Sequence, residues 1–229
     1  MIGILAGMGP KSTGPFIDQV VHAFQTLSAA KDDIDFPPMM IYSLPTPFYI
    51  DRQIDHKLME ITICEGLKKL ESCGVTFIAM PCNTAHRYFQ TLRQCIKIPL
   101  LNMVEVSLNR IPKSVKKITL LGTRSTLESG VYQKGFDHAH FNYVFNPAWQ
   151  IKVDEMLLNI KTSSDQSTSI KLWNELSDEL RITGVEAIVL ACTDLNVVIN
   201  PKHPSSLQII DSSRALAEAI VYQWKSIHH

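Results

Sequence analysis

Two cysteines stand at positions where a thiol can take part in proton transfer. Cys82 and Cys192 each follow a short apolar run, and each is followed within two residues by a threonine. An unperturbed thiol has a pKa of about 8.5, so it can serve as an acid or a base near neutral pH. Two thiols on opposite faces of one carbon suit stereoinversion, because one removes a proton and the other delivers a proton to the opposite face.

The residues after each cysteine predict helix N-termini that would acidify the thiols. Asn83 and Thr84 can cap a helix after the first cysteine, and Thr193 and Asp194 can cap one after the second. The exposed N–H groups of such a helix lower the pKa of a nearby thiol and bind a carboxylate. His86 is placed to tune the first thiol from this helix, although a residue on an ordinary helix face is the commoner interpretation.

Short β-branched apolar runs alternate with longer helical stretches, which predicts an α/β fold with largely parallel sheets. Strands are expected at Ile2–Ala6, Met39–Ser43, Phe77–Met80, Leu100–Met103, Lys117–Leu121, Asn142–Phe145, Ala187–Leu190 and Leu207–Ile210. Helices are expected at Ser12–Leu27, Lys57–Ser72, Thr84–Ile96, Thr126–Phe136, Lys152–Ile160, Ser169–Thr183 and Ser212–Ile227.

The two halves of the chain resemble each other. IGILAGMGPKSTG is echoed by ITLLGTRSTLESG, and FIAMPCNTAH by AIVLACTDLN, in the same order. We therefore expect two pseudo-symmetric Rossmann-like lobes with an active-site cleft between them. The first lobe comprises residues 1–105 with a returning helix at 208–229, and the second comprises residues 106–207. Each lobe places one cysteine at the carboxyl end of a strand, where ligands collect in open α/β sheets.

Composition excludes several classes of partner. Basic and acidic residues number 22 each, which gives no general attraction to nucleic acid or to an anionic membrane. No apolar run approaches the roughly 20 residues that span a bilayer, and MIGILAGMGP reads as a first buried strand. The five cysteines include no CxxC pair and the histidines show no metal-ligand spacing, so we expect free thiols, no metal and a cytoplasmic protein.

Four segments together resemble the aspartate/glutamate racemase superfamily, in particular its aspartate racemase branch. They are GILAGMGPKST, MPCNTAH, LLGTRSTLESGVY and ACTDL, and their order matches over nearly the whole chain. The resemblance implies two Rossmann-like lobes, a homodimer, a small amino-acid substrate, and no cofactor such as pyridoxal phosphate. It also assigns Cys82 and Cys192 as the acid/base pair.

The resemblance implies further substrate-binding positions. These are Met8 in the first glycine turn, Asn83, Thr84 and Ala85 after the first cysteine, Thr123 in the second glycine turn, Lys161, and Thr193 after the second cysteine. Lys161 matches a lysine that reaches toward the distal carboxylate of the substrate. A solvated lysine at a helix end is the alternative.

This chain also departs from the family pattern. The arginine that pairs with the substrate's side-chain carboxylate has no counterpart after the second strand, and Arg52 is out of register. Gln53 instead matches a branch with both aspartate and glutamate activity. Asp194 stands where the family more often has glutamate. We therefore expect an acidic amino acid as substrate, with aspartate first and glutamate as an alternative.

Two other functions remain open from the sequence. A two-lobed protein that binds a dicarboxylate without catalysis would retain the cleft but need neither cysteine. An enzyme resembling maleate isomerase would use one cysteine as a nucleophile. Deuterium exchange at the α-carbon separates these functions, since only the racemase catalyses it.

Overall fold

A computed structural model describes residues 1–48, 53–199 and 207–228, and its elements form the predicted α/β fold with parallel sheets. The strands are β1 (Ile2–Ala6), β2 (Met39–Ser43), β3 (Phe77–Ala79), β4 (Lys117–Gly122), β5 (Asn142–Tyr143), β6 (Ala187–Ala191) and β7 (Gln208–Asp211). The α-helices are α1 (Thr13–Ser28), α2 (His56–Ser72), α3 (Phe89–Gln94), α4 (Met103–Leu108), α5 (Arg124–Ser129), α6 (Gln133–His138), α7 (Pro147–Thr162), α8 (Ser167–Ile182) and α9 (Ser212–His228). Short 3-10 helices occupy Pro10–Ser12, Asp33–Asp35, Thr84–Tyr88 and Thr193–Val197.

The chain divides into two compact units. Unit 1 comprises Met1–Met103 together with Ser213–His229, and unit 2 comprises Val104–Ser212. Each unit contains its own sheet, and each sheet has its own hydrophobic core.

The sheet of unit 1 has the strand order β2-β1-β3, with all pairs parallel. Alternate residues of a strand point to opposite faces, so Leu5 of β1 and Ile78 of β3 share the face that packs against α2. Ile63 and Leu67 of α2 are fully buried in that cluster. Helix α2 thus covers the face of the sheet toward which alternate side chains of β3, and of the residues that follow it, are directed.

The sheet of unit 2 has the order β5-β4-β6-β7 and is also parallel. Along β6, Ile188 and Leu190 face a cluster formed with α7 and α8, whereas Ala187, Val189 and Ala191 face a second cluster on the other side. Burial on both faces explains why β6 reads as a continuous apolar run rather than an alternating one.

Three predicted elements differ in kind from the structure, and others differ only in their bounds. The strand predicted at Leu100–Met103 is reduced to a single bridge between Leu100 and Ile78, because the chain turns into α4 at Met103. The helix predicted at Thr84–Ile96 is a 3-10 helix followed by α3. The helix predicted at Thr126–Phe136 is divided into α5 and α6 by Gly130, whose φ of 67° ends α5 in the left-handed conformation.

The expectation that every thiol is free is wrong for one pair. Cys64 on α2 and Cys95 directly after α3 form a disulfide, with 31 residues of sequence separation. The packing of α3 against α2 brings the two side chains together, and this contact has no local signal in the sequence. Cys73, Cys82 and Cys192 stand outside the disulfide. The cytoplasmic location expected from the sequence stays a prediction.

The described ranges 1–48, 53–199 and 207–228 contain no helix long and apolar enough to cross a membrane. They also contain no cluster of three or more His, Cys, Asp or Glu side chains placed to hold a metal ion.

Candidate functional site

Cys82 continues the series of side chains that β3 directs toward α2. Ile78, Met80 and Cys82 alternate along the chain, and all three contact the core cluster beneath α2. The first two are fully buried, while Cys82 lies at the edge of the cluster and is partly exposed. The strand therefore places this thiol at its carboxyl end, where apolar packing gives way to solvent.

Cys192 has the same placement in unit 2. It directly follows β6 and shares the α7–α8 side of the sheet with Ile188 and Leu190. It is buried, with 8% of its surface exposed. Gly122 pairs with Ala191 across β4 and β6, so the next residues, Thr123 and Cys192, both lie at the carboxyl edge of these neighbouring strands.

The helices that follow the two cysteines differ from the predicted ones. Both are 3-10 helices of five residues, and neither begins with a side-chain capping hydrogen bond. Cys192 itself occupies the N-cap position, and Thr193 is already inside the second helix. Asn83 occupies the predicted N-cap position but makes no side-chain capping hydrogen bond there, and Thr84, Thr193 and Asp194 lie inside their helices, so the predicted side-chain capping is wrong. A helix macrodipole grows from aligned peptide units, so helices this short acidify a thiol less than a long α-helix would.

The segment after Cys82 contributes two buried residues and one partly exposed residue. Asn83 and Ala85 are 3% exposed, and Ala85 packs in the core beneath α2. Thr84 is partly exposed at the start of the 3-10 helix. Of the substrate-binding residues expected from the resemblance, these three lie next to Cys82, and Met8 contacts the same core cluster.

The buried side chain of His86 forms hydrogen bonds with the backbone of this segment and of Met103. It is 2% exposed, its Nδ1 lies 2.8 Å from the carbonyl oxygen of Cys82, and its Nε2 lies 2.9 Å from the backbone nitrogen of Met103. Burial lowers the pKa of His86 to about 4, against the opposing effect of the Cys82 and Leu101 carbonyl groups. The ring is therefore neutral at physiological pH.

Each glycine turn after a first strand is held by a threonine. In unit 1, the Gly7 N–H donates to Thr13 Oγ1 over 3.2 Å, and the φ of Gly7 is 92°. A Cβ on Gly7 would lie 2.6 Å from the Leu44 backbone nitrogen, so glycine is required there. In unit 2, Thr123 caps α5 and accepts from the Thr126 N–H over 3.2 Å.

Helix α7 places Lys161 beside the segment after Cys192. Lys161 Nζ lies 3.8 Å from Asp194 Oδ2, and the Asp194 side chain is only 8% exposed. On the other side of the same segment, Asn196 Nδ2 donates to Asp211 Oδ1 at the end of β7, over 3.0 Å. The 3-10 helix after Cys192 is thus held from α7 and from β7.

The first turns of α7 also reach the carboxyl edge of the sheet, through a residue that the sequence pattern did not single out. Gln150 is 4% exposed, and its Nε2 donates to the carbonyl oxygen of Gly122 over 3.0 Å and to Asp154 Oδ1 over 2.7 Å. Asp154 in turn pairs with Arg124 Nη2 over 2.5 Å. Gln150 precedes the helix predicted at Lys152–Ile160, so the sequence pattern gave no signal for its burial.

Gln53 is exposed and precedes α2. Arg52, considered as a replacement for the missing family arginine, lies outside the described residues.

Comparison with known proteins identifies the class. The Asp/Glu/Hydantoin racemase family matches residues 5–220, and this chain belongs to that family. Racemases are isomerases, so the family places the chain in that class of enzymes.

Individual relatives agree with this assignment. The chain is 46% identical over 221 residues to the broad specificity amino-acid racemase RacX of Bacillus subtilis. The aligned region covers 96% of each chain. Its fold matches the structure of Picrophilus torridus aspartate racemase with a TM-score of 0.82 and 29% identity, over 97% of this chain and 93% of that one. An aspartate racemase homologue from Pyrococcus horikoshii shares the fold with a TM-score of 0.79 at 20% identity, over 98% of each chain.

Proposed function

We propose that this chain racemises amino acids without a cofactor, using Cys82 and Cys192 as its two proton-transferring groups. One observation carries the proposal: each unit places a cysteine outside the disulfide at the carboxyl end of a buried parallel strand. Membership of the racemase family supports the same reaction.

The proposed reaction balances within the two thiols. The thiolate of one cysteine takes the α-proton, so an S–H bond forms as the Cα–H bond breaks. The electron pair left on Cα is delocalised into the substrate carboxylate. The thiol of the other cysteine then gives its proton to the opposite face, and the two sulfurs have exchanged protonation states.

Polar groups at the carboxyl edges of the strands are proposed to bind the substrate's α-carboxylate and amino group. The candidates in unit 1 are Asn83, Thr84 and the Ala85 backbone, and those in unit 2 are Thr123 and Thr193. Hydrogen bonds that strengthen as negative charge develops on the carboxylate would lower the barrier to proton removal.

We propose a substrate range wider than the acidic amino acids expected from the sequence. Met8, Gln53 and Lys161 are the proposed contacts of the substrate side chain. Lys161 faces Asp194 at 3.8 Å, so the pair carries no net charge to require a carboxylate on the substrate. The relationship to a broad specificity racemase at 46% identity supports the same range. Aspartate and glutamate remain within it.

The decisive experiment follows the α-proton by NMR in deuterated buffer, with reductant and without added cofactor. L-Aspartate, L-asparagine, L-glutamate and L-glutamine form two pairs of similar shape that differ in side-chain charge. We expect deuterium at the α-carbon and the D-enantiomer on chiral chromatography from both members of at least one pair. Turnover of acidic members alone would contradict the wider range. Absence of exchange across a full panel of amino acids would contradict racemisation.

Cysteine variants test the mechanism. Cys82→Ser and Cys192→Ser should each lose racemisation by at least about 100-fold, because a serine hydroxyl is a poor base at neutral pH. Cys73→Ser is the matched control, since Cys73 is exposed beyond α2 and should leave turnover unchanged. Wild-type turnover in either of the first two variants would contradict a two-base mechanism.

We also propose the homodimer that the family resemblance implies. Strand β2 lies at the edge of the unit 1 sheet, and Met40 and Ile41 are 38% and 42% exposed there. An exposed apolar edge strand favours association with a second chain. Size-exclusion chromatography with light scattering should give twice the mass of one chain, and Ile41→Asp should lower it. A monomeric wild-type protein would contradict this assembly.

A further inference from the structure

We propose that His86 is a positioning residue for Cys82, acting through a hydrogen bond from its Nδ1–H to the Cys82 carbonyl oxygen. This inference rests on the proposed role of Cys82 in racemisation. It assigns a task to a buried histidine that the proton-transfer steps themselves do not use.

The Met103 N–H assigns the tautomer of the ring, which also lies near a second carbonyl acceptor, that of Leu101. A backbone N–H can only donate, so the Met103 N–H requires a lone pair on Nε2, 2.9 Å away. A neutral imidazole then carries its proton on Nδ1, which lies 2.8 Å from the Cys82 carbonyl oxygen. His86 therefore donates to the Cys82 backbone and accepts from the start of α4 at the same time.

Packing holds the ring in this orientation. The imidazole is fully buried, and it stacks on Phe89 with ring centroids 5.6 Å apart and an interplanar angle of 7°. The backbone N–H of His86 also donates to the Asn83 carbonyl oxygen over 3.1 Å. A ring restrained on its face and at both nitrogens cannot rotate without breaking a buried hydrogen bond.

The hydrogen bond from His86 restrains the backbone of the residue that carries the thiol. The Cys82 N–H donates to the Met80 carbonyl oxygen over 2.8 Å, and its own carbonyl oxygen accepts from His86. Both peptide groups that flank the Cys82 Cα are thus held, which fixes the direction of its Cα–Cβ bond. Proton transfer is sensitive to this direction, because a displacement of about 1 Å at a reacting group can cost about 100-fold in rate.

Two substitutions separate the two hydrogen bonds. In His86→Asn, the amide Nδ2 takes the place of the ring Nδ1 and keeps the donor to Cys82, while the acceptor for Met103 is lost. In His86→Gln, the amide oxygen can take the place of Nε2 and keep the acceptor, while the donor to Cys82 is lost. Each variant is therefore the matched control of the other.

The readout is the primary deuterium isotope effect on kcat/KM, measured with α-deuterated substrate of each enantiomer. Slowing proton transfer at Cys82 makes C–H cleavage more rate-limiting for the enantiomer that Cys82 deprotonates. It makes cleavage less rate-limiting for the other enantiomer. The ratio of the two isotope effects therefore changes, whereas a loss of folded enzyme alone would leave it unchanged.

We expect His86→Gln to lower kcat/KM by about 10- to 100-fold and to change the isotope-effect ratio. His86→Asn should keep the wild-type ratio. An unchanged ratio in His86→Gln, with active wild-type enzyme, would overturn the positioning role. Wild-type protein without α-exchange would instead count against the proposed function.

A measurement on the wild-type protein keeps the inference testable where the variants do not fold. Long-range proton–nitrogen NMR of labelled histidine should show His86 as the neutral tautomer with its proton on Nδ1. A proton on Nε2 would overturn the inference, because the bond to the Cys82 carbonyl would then lack its donor.

Discussion

Lys161 Nζ lies 3.8 Å from Asp194 Oδ2, so the lysine expected to bind a substrate carboxylate faces a carboxylate of its own protein. Asp194 is held in a largely buried position two residues after Cys192. The positive charge of Lys161 and the negative charge of Asp194 offset each other where α7 packs against the segment that follows β6.

Removal of the Asp194 charge and removal of the Lys161 charge should change substrate preference in opposite directions. Asp194→Asn leaves the lysine charge unopposed, so the ratio of kcat/KM for aspartate to that for asparagine should rise about tenfold, or about 1.4 kcal/mol. Lys161→Met leaves the carboxylate unopposed, so the ratio should fall by a similar factor. Steady-state kinetics with both substrates measures each ratio.

Lys152→Met is the control for this pair of variants. Lys152 lies on the same helix but pairs with Glu175 and Glu179 on α8, so its loss should leave the ratio unchanged. An unchanged ratio in Asp194→Asn and in Lys161→Met would mean that the substrate side chain lies away from this pair.

Gly122 is predicted to tolerate no side chain. It pairs with Ala191 across β4 and β6, and a Cβ on it would lie 2.8 Å from the Ala191 carbonyl oxygen. Gly122→Ala should therefore separate the strands directly before Cys192, lower the free energy of unfolding by about 1–3 kcal/mol and reduce kcat. Urea unfolding and steady-state kinetics measure the two effects.

Gly14 supplies the matched comparison. A Cβ there would meet no atom within 4 Å, and the residue lies in the first turn of α1. Gly14→Ala should keep wild-type activity and leave stability equal or raise it by up to about 1 kcal/mol. Equal stability losses in both variants would show that the strand contact is not what makes Gly122 necessary.

The Cys64–Cys95 disulfide predicts a specific pattern of thiol reactivity. Alkylation of the unfolded chain without reductant, followed by mass spectrometry, should label Cys73, Cys82 and Cys192, and reductant should add the other two. With a sequence separation of 31 between the linked positions, reduction should lower the free energy of unfolding by about 4 kcal/mol. Labelling of all five cysteines before reduction would contradict the disulfide.

Local sequence signals predicted well those strands whose formation depends mainly on their own residues. The predicted bounds of β1 and β2, Ile2–Ala6 and Met39–Ser43, agree with the structure. Both segments are rich in apolar residues, and glycine or proline lies close by. The positions of Cys82 and Cys192 at strand ends follow from the same kind of signal.

Contacts between distant segments were not predictable from a single sequence. The Leu100–Met103 segment is apolar enough for a strand, but the N–H of Met103 donates to His86 where α4 begins. The Lys161–Asp194 pair and the bond from Gln150 to Gly122 depend on where α7 packs. These contacts shape the candidate site, and local patterns do not specify them.

The buried imidazole of His86 should make stability depend on pH. Burial lowers the pKa of His86 from 6.5 to about 4, so between these values the unfolded chain binds a proton that the folded protein does not. The free energy of unfolding should therefore be highest above pH 6.5 and should fall as pH drops toward 4, by roughly 3 kcal/mol from this residue.

Urea unfolding of wild-type protein and His86→Asn at pH 7 and pH 4.5 isolates the contribution, because the asparagine side chain does not titrate. Ile63→Val, a buried truncation that changes no titrating group, should destabilise equally at both pH values. We expect the stability difference between wild-type protein and His86→Asn to shrink at the lower pH. A difference that stays constant would mean that the pKa of His86 is the same in the folded and the unfolded chain, and its neutral role in holding Cys82 would lose its support.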